Sequence, residues 1–252
     1  MLLHSVPHHH TRPGVRPEGC IRARAWGYVH PVAHEPQTVV LDLDGTLVDS
    51  VYEHVTAWHA AFHDVGRFVS AVRIHEAIGM GGDRLVAHVA GDAAEAAVGD
   101  DVRALHDHYF RASLRTISPL DGASEVVEAL ASRGHRLALA SSSEKDLVDE
   151  LLDLVDVRRH LAAVVTASDD LASKPAPDLV LAAAARAGGS SAVAVGDATW
   201  DALAAEAAGI PCIGVRSGGI AAERLVSAGA SWVYDGPDDL LAQLAHSPLR
   251  TR

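Results

Sequence analysis

An α/β fold with a parallel, helix-covered sheet is predicted by three observations. Short apolar runs alternate with helical patterns through the C-terminal half, as successive βα units require. Carboxylate, hydroxyl and lysine residues recur just after those runs. A stretch from about residue 52 to 118 interrupts the alternation and is helical in pattern throughout, so it reads as an insertion after the first strand.

The first strand is the β-branched run Thr38-Val39-Val40-Leu41, which leads into Asp42-Leu43-Asp44-Gly45-Thr46-Leu47-Val48-Asp49-Ser50. Side chains two apart on a strand share a face at about 7 Å, so Asp42 and Asp44 are expected to point together beyond the strand's C-terminal end. In open parallel sheets ligands bind at that end. Two carboxylates so close need a cation or a shared proton to offset their charge.

A helix is predicted over Tyr52–Val65, with Val55, Trp58, Ala61, Phe62 and Val65 in one stripe. Shorter helices follow at about Ser70–Ile78, Arg84–Val89, Ala93–Val98 and Asp101–Arg115, punctuated by Gly79-Met80-Gly81-Gly82. The alternation then gives helices at Ala123–Arg133, Lys145–Leu154, Asp178–Ala187, Trp200–Ala208 and Asp238–Leu244. Strands fall at Arg136–Ala140, Ala162–Thr166, Ala192–Val195, Cys212–Val215 and Ser231–Tyr234. Right-handed crossovers bring the loops after these strands to one edge of the sheet.

Composition narrows the class. Of 252 residues, 48% are hydrophobic and 21% charged, enough apolar surface for a sizeable core. The net charge of −12 argues against nucleic acid as a partner. No apolar run reaches the roughly 18–20 residues needed to span a membrane. The two cysteines, Cys20 and Cys212, are far apart and lack metal-ligand spacing, which fits a cytoplasmic protein without a disulfide framework. Residues 1–36, with His8-His9-His10 and scattered prolines and arginines, read as a flexible tail without the apolar core of a signal peptide.

Several residues are expected to converge on Asp42. Ser141 and Ser142 follow the strand Leu137-Ala138-Leu139-Ala140, where a hydroxyl can donate to a phosphate oxygen, while Ser143 caps the next helix. Lys174, in Ser173-Lys174-Pro175-Ala176-Pro177-Asp178, would lower the charge cost of the carboxylates and of a phosphoryl group. Asp197, in Gly196-Asp197-Ala198-Thr199-Trp200-Asp201, follows the strand Ala192-Val193-Ala194-Val195. A hard cation such as Mg²⁺ takes one or two carboxylates together with water and phosphate oxygens. Asp201 sits about one turn into the next helix, where negative charge is favourable.

Together Asp42-x-Asp44-Gly45-Thr46-Leu47-Val48-Asp49-Ser50, Ser141, Ser173-Lys174-Pro175 and Gly196-Asp197-x-x-x-Asp201 resemble, in order, the four motifs of the haloacid dehalogenase-like phosphohydrolases over roughly residues 37–245. The resemblance implies a Rossmann-like core over 37–51 and 119–252 and a helical cap over 52–118, as in the subfamily that contains β-phosphoglucomutase and phosphoglycolate phosphatase. It implies Asp42 as nucleophile and Asp44 as general acid/base, which would have to start protonated. It also implies Mg²⁺ on Asp42, the backbone carbonyl of Asp44 and Asp197, with Asp201 supporting those ligands. His54 and Trp58 match types in the β-phosphoglucomutase pattern, and Arg84 is the nearest cation to the glycine loop that would face the substrate. Gly82 stands where the mutase carries a phosphate-gripping arginine, and Glu144 and Lys145 replace its Lys and Asn. The favoured expectation is therefore a Mg²⁺-dependent phosphatase of a small phosphorylated metabolite, ahead of a phosphosugar mutase. A non-catalytic binding protein is the third reading; loss of Asp42 would signal it. The sequence leaves the oligomeric state open.

Overall fold

The computed structural model describes residues 37–188 and 191–251. The expected tail, residues 1–36, and Cys20 within it lie outside them. Six strands form one sheet: β1 (Thr38–Leu41), β2 (Arg136–Ala140), β3 (Leu161–Val165), β4 (Ala192–Gly196), β5 (Cys212–Val215) and β6 (Ala230–Tyr234). Every pairing is parallel, in the order β3-β2-β1-β4-β5-β6. The chain builds outward from β1 to β3, then returns to the other side of β1 to lay down β4. This reversal between β1 and β4 makes a crevice at their C-terminal ends, the usual ligand site of an open α/β sheet.

The four residues of β1 are all buried, as a central parallel strand covered on both faces must be. Val39 and Leu41 enter a core with Leu137, Leu139, Val193 and Val195 and with helices α5 (Ala123–Ser132) and α6 (Lys145–Val155). Val40 faces the opposite side, with Ala138, Ala140 and helix α7 (Asp178–Ala187). Helices α8 (Thr199–Ala207), α9 (Ala222–Ser227) and α10 (Pro237–Ala242) complete the core. The six-residue α9 was not expected; its buried pair Ala222 and Leu225 is too short a stripe to read from sequence.

Between β1 and α5 stand helices α1 (Val51–Asp64), α2 (Ala71–His75), α3 (Gly82–Ala90) and α4 (Asp92–Ser113). Val55, Trp58, Ala61 and Phe62 of α1 pack with Ile74, Leu85, Val86, Val89 and Val102 into a second apolar cluster. One expectation is corrected here: the segments 93–98 and 101–115 are not two helices, since α4 runs unbroken to Ser113. Gly99 costs about 1 kcal/mol against Ala in a helix interior. Packing of α4 along α1 and α3 outweighs that cost, and Arg103 ties back across the glycine to Glu95.

Candidate active site

The β1 strand ends at Leu41, and Asp42 still donates its N–H to Val195 O at 2.9 Å. The chain then curls. Thr46 and Leu47 donate to Leu43 O, and Gly45 adopts φ +78°. A Cβ on Gly45 would stand 2.4 Å from Asp197 Oδ2, so both its backbone angle and its neighbour require glycine. Asp42 and Asp44 both line one cavity, and they make separate sets of hydrogen bonds.

Asp42 joins a buried charge cluster. Lys174 Nζ lies 2.5 Å from Asp42 Oδ1 and 2.7 Å from Asp201 Oδ1, with the lysine only 1% exposed. Asp197 accepts from Thr46 Oγ1 at 3.0 Å. Burial pushes the Asp42 carboxyl up; the Lys174 charge opposes this and those of Asp201 and Asp44 add to it, leaving it at about 7. Asp197 is raised well above the ordinary carboxylate value, first by burial and then by the charges of Asp201 and Asp42. Lys174 is held above its ordinary value because the charges of Asp201 and Asp42 outweigh its burial.

Asp42, Asp197 and Asp201 each offer an oxygen within 4.8 Å of the others, so this buried triple-acid group can hold a metal ion. An all-carboxylate set suits a hard divalent cation, whose charge would relieve the repulsion that raises Asp42 and Asp197. Both oxygens of Asp201 are already engaged, one by Lys174 and the other by the Ala198 N–H at 3.0 Å. Asp42 and Asp197 are thus the better placed to bind the cation.

Asp44 turns to a separate set of partners. It accepts from Ser50 Oγ at 2.6 Å and Ser143 Oγ at 3.1 Å, and His54 Nε2 lies 3.1 Å from its Oδ1. Burial would raise the Asp44 carboxyl, but the His54 charge and the hydrogen bonds from His54, Ser50 and Ser143 outweigh it and hold it below its ordinary value. These surroundings favour the carboxylate form of Asp44, whereas the resemblance implies a general acid that starts protonated. Ser143 is not the helix cap that was expected; Glu144 occupies that position, and the Ser143 hydroxyl is spent on Asp44.

His54 is buried. Its ring stacks on Phe110 at 3.8 Å between centroids, and its Nδ1 lies 3.0 Å from His106 Nε2. Burial, with the neighbouring His54, holds His106 well below the ordinary imidazole value. Trp58 stacks on His106 at 4.0 Å. It is both core of the helical insert and a wall of the site.

Above these groups opens a cavity of about 660 Å³, lined by Asp42, Asp44, His54, Ser141, Ser142 and Ser143 on one side and by residues of α1, α3 and α4 on the other. Ser141 is buried and its Oγ accepts from the Ser143 N–H at 3.1 Å, which leaves its own hydrogen to donate. Ser142 Oγ donates to Gly79 O at 3.3 Å and so joins the sheet to the insert. Arg84 does not line the cavity. It is exposed, and among the described residues it pairs with Asp83 at 3.8 Å. The cation in the wall is Arg103. It was overlooked although Arg103, His106, Asp107 and Phe110 follow the i, i+3, i+4, i+7 spacing of one helix face.

Comparison with known proteins now decides the family. The model of the haloacid dehalogenase-like hydrolases matches residues 36–209. This chain belongs to that family. A plasmid-borne phosphoglycolate phosphatase of Cupriavidus necator is 31% identical over 217 residues, covering 84% of this chain and 94% of that protein. A phosphoglycolate phosphatase of Pseudomonas fluorescens is also 31% identical, over 73% of this chain and 70% of its own length. The crystal structure of a Pseudomonas syringae hydrolase superposes with a TM-score of 0.79 at 32% identity, over 83% of this chain and 98% of that one. A Bacteroides vulgatus structure assigned provisionally as a β-phosphoglucomutase shares the fold, with a TM-score of 0.72 at 23% identity over 83% and 88% of the two chains. The haloacid dehalogenase-like chain is thus a hydrolase by family, and the two curated relatives above are phosphoglycolate phosphatases. No helix among the described residues is long and apolar enough to cross a membrane.

Proposed function

We propose that this haloacid dehalogenase-like enzyme is a Mg²⁺-dependent phosphatase that hydrolyses a small phosphate monoester through a phosphoryl group carried on Asp42. The observation that carries the reading is the buried ion pair of Lys174 with Asp42, close to Asp197 at the sheet's reversal point, from which Asp42 reaches the cavity lining. Asp42 attacks phosphorus as its bond to the leaving oxygen breaks, and an acyl phosphate forms. Asp42 and Asp197 would hold a divalent cation, which would neutralise charge on the phosphoryl oxygens. Lys174 adds a second positive charge from the protein, and the Ser141 hydroxyl donates to a phosphoryl oxygen.

Asp44 serves the proton transfers. As the carboxylate its surroundings favour, it is ready to accept a proton from the water that hydrolyses the acyl phosphate. Protonation of the leaving oxygen in the first step requires the same carboxyl to carry a proton, within the hydrogen-bonded pair it makes with His54. The four helices α1–α4 act as a cap over the core and supply the substrate-facing wall.

A phosphosugar mutase is the second reading, favoured by the His54 and Trp58 positions. It would need a cation for a second phosphate, and Arg103 is already held by Glu95 and Asp100. The phosphatase reading is tested by phosphate release from p-nitrophenyl phosphate and a panel of natural monoesters, with Mg²⁺ or EDTA, in the wild type and Asp42→Asn. Release that needs Mg²⁺ and disappears in Asp42→Asn with circular dichroism unchanged is the expected result. Near-wild-type release in that variant would remove Asp42 as nucleophile.

A further inference from the structure

Away from Asp42 and Asp44 the cavity wall carries more carboxylates than cations. Its ionisable lining there comprises Asp83, Glu95, Asp107, Glu144 and Asp170, against Arg103 and the imidazoles His54, which is engaged by Asp44, and His106. Both terminal nitrogens of Arg103 are engaged. Its Nη1 donates to Gly82 O and Glu95 Oε2, both at 3.1 Å, and its Nη2 to Glu95 Oε1 at 2.8 Å and Asp100 Oδ1 at 2.7 Å. Two carboxylates on one guanidinium leave that group with a net negative charge. The two-pronged contact with Glu95 is the strong form of the pair. Glycine at position 99 makes room for it, since a Cβ there would fall 2.6 Å from Glu95 Oε1. Asp107 is paired with Arg111, and Asp83 accepts from Ser173 Oγ at 2.6 Å.

From this wall we infer that the substrate is the phosphate ester of an uncharged, hydroxyl-bearing alcohol, a polyol or sugar, and that a carboxylate at its far end is selected against. The inference rests on the phosphatase reading and names the substrate class of that site. A hydroxyl finds carboxylate acceptors at Glu95 and Asp170, and its carbon skeleton finds the apolar surface of Trp58, Ile78, Leu85 and Leu171. A carboxylate finds no uncommitted cation among the described lining residues and meets like charge instead, an effect that solvent screens in part because Asp83, Asp107, Glu144 and Asp170 are exposed. Burial of His106 keeps its imidazole from supplying that cation. The volume of about 660 Å³ is that of a cavity for a metabolite larger than a two-carbon acid. The phosphoglycolate named for the curated relatives carries such a carboxylate, so this chain departs from them in substrate.

The test uses a matched pair. Glycerol 3-phosphate and 3-phosphoglycerate differ in a terminal hydroxymethyl against a carboxylate, and kcat/KM is measured for both with Mg²⁺, alongside 2-phosphoglycolate and p-nitrophenyl phosphate. A preference of roughly ten- to a hundredfold for glycerol 3-phosphate is expected, narrowing to a few-fold in Glu95→Gln, where Arg103 is partly released. Equal or better turnover of either carboxylated ester by the wild type overturns the inference. So does an unchanged preference in a folded Glu95→Gln. If that variant does not fold, the wild-type ratio decides. If no ester, including p-nitrophenyl phosphate, is hydrolysed, the phosphatase reading fails by itself. Calorimetric binding of the same pair to the wild type with Mg²⁺ then decides the substrate class. Tighter glycerol 3-phosphate supports it, and equal binding, the reverse order or no binding of either overturns it.

Discussion

His54 Nε2 lies 3.1 Å from Asp44 Oδ1, in an imidazole buried against Phe110. This contact is a main reason Asp44 is held below its ordinary value. Replacing His54 by Asn removes the charge and one hydrogen bond, so the Asp44 carboxyl moves up. Any limb of the pH profile of kcat/KM that reports Asp44 should shift to higher pH, and kcat should fall by roughly ten- to a hundredfold through poorer proton transfer. A profile with unmoved limbs would leave His54 a packing residue.

The carboxylate cluster makes stability depend on pH and on a cation. Asp42 has a folded value of about 7 against 3.8 for the ordinary group, and Asp197 is displaced in the same direction. Between those values the folded state holds a proton that the unfolded state has lost, so raising the pH through this window weakens folding. Without a divalent ion, this cluster should lower Tm as pH rises from 5 to 8. Mg²⁺ binds the ionised form and should raise Tm more at pH 8 than at pH 5. At a hundred times its Kd the gain is about 2.7 kcal/mol, or roughly 5–10 °C for a domain of this size. Scanning fluorimetry with EDTA or Mg²⁺ at both pH values measures it. An equal Mg²⁺ effect at both pH values would place the ion elsewhere.

Lys174 is buried between Asp42 and Asp201, and removing one member of such a group strands its partners. Lys174→Met should cost about 3–5 kcal/mol in urea unfolding at pH 8 without Mg²⁺. The loss should shrink at pH 5, where the carboxyls protonate, and phosphate release should stay absent even where the variant is folded. A loss independent of pH would mean that the cost is one of packing.

Gly45 opens the turn that follows Asp44. In Gly45→Ala the new Cβ meets Asp197 Oδ2 at 2.4 Å in a backbone angle that disfavours L-residues. The carboxylate must move, and the Mg²⁺ concentration for half-maximal activity should rise roughly ten- to a hundredfold. An unchanged Mg²⁺ requirement would separate Asp197 from the cation.

Much of this molecule is legible locally. Strands such as Arg136–Ala140 and Cys212–Val215 and the helix Asp178–Ala187 fall where the apolar periodicity puts them, because each buries its own face and ends at its own polar or glycine residues. The α4 helix was misread as two because a glycine's local cost is visible in sequence, while the tertiary packing that overcomes it is not.

The amino-acid sequence by itself determined the parallel sheet, the helical insertion after its first strand, and the loops that carry Asp42, Ser141, Lys174 and Asp197. Strand and loop order are encoded in short-range pattern, and right-handed crossovers send those loops to one edge. Only the tertiary structure decided the partners. Asp42 and Asp44 line one cavity, yet one is paired with Lys174 and the other with His54. Asp201 is held as firmly as Asp42 because Lys174 reaches both. Arg103 rather than Arg84 lines the cavity because α4, packed along α1, turns that face inward while Arg84 on α3 is left exposed. Which face of a helix meets the site is set by how helices pack on one another, and that choice involves residues dozens of positions apart.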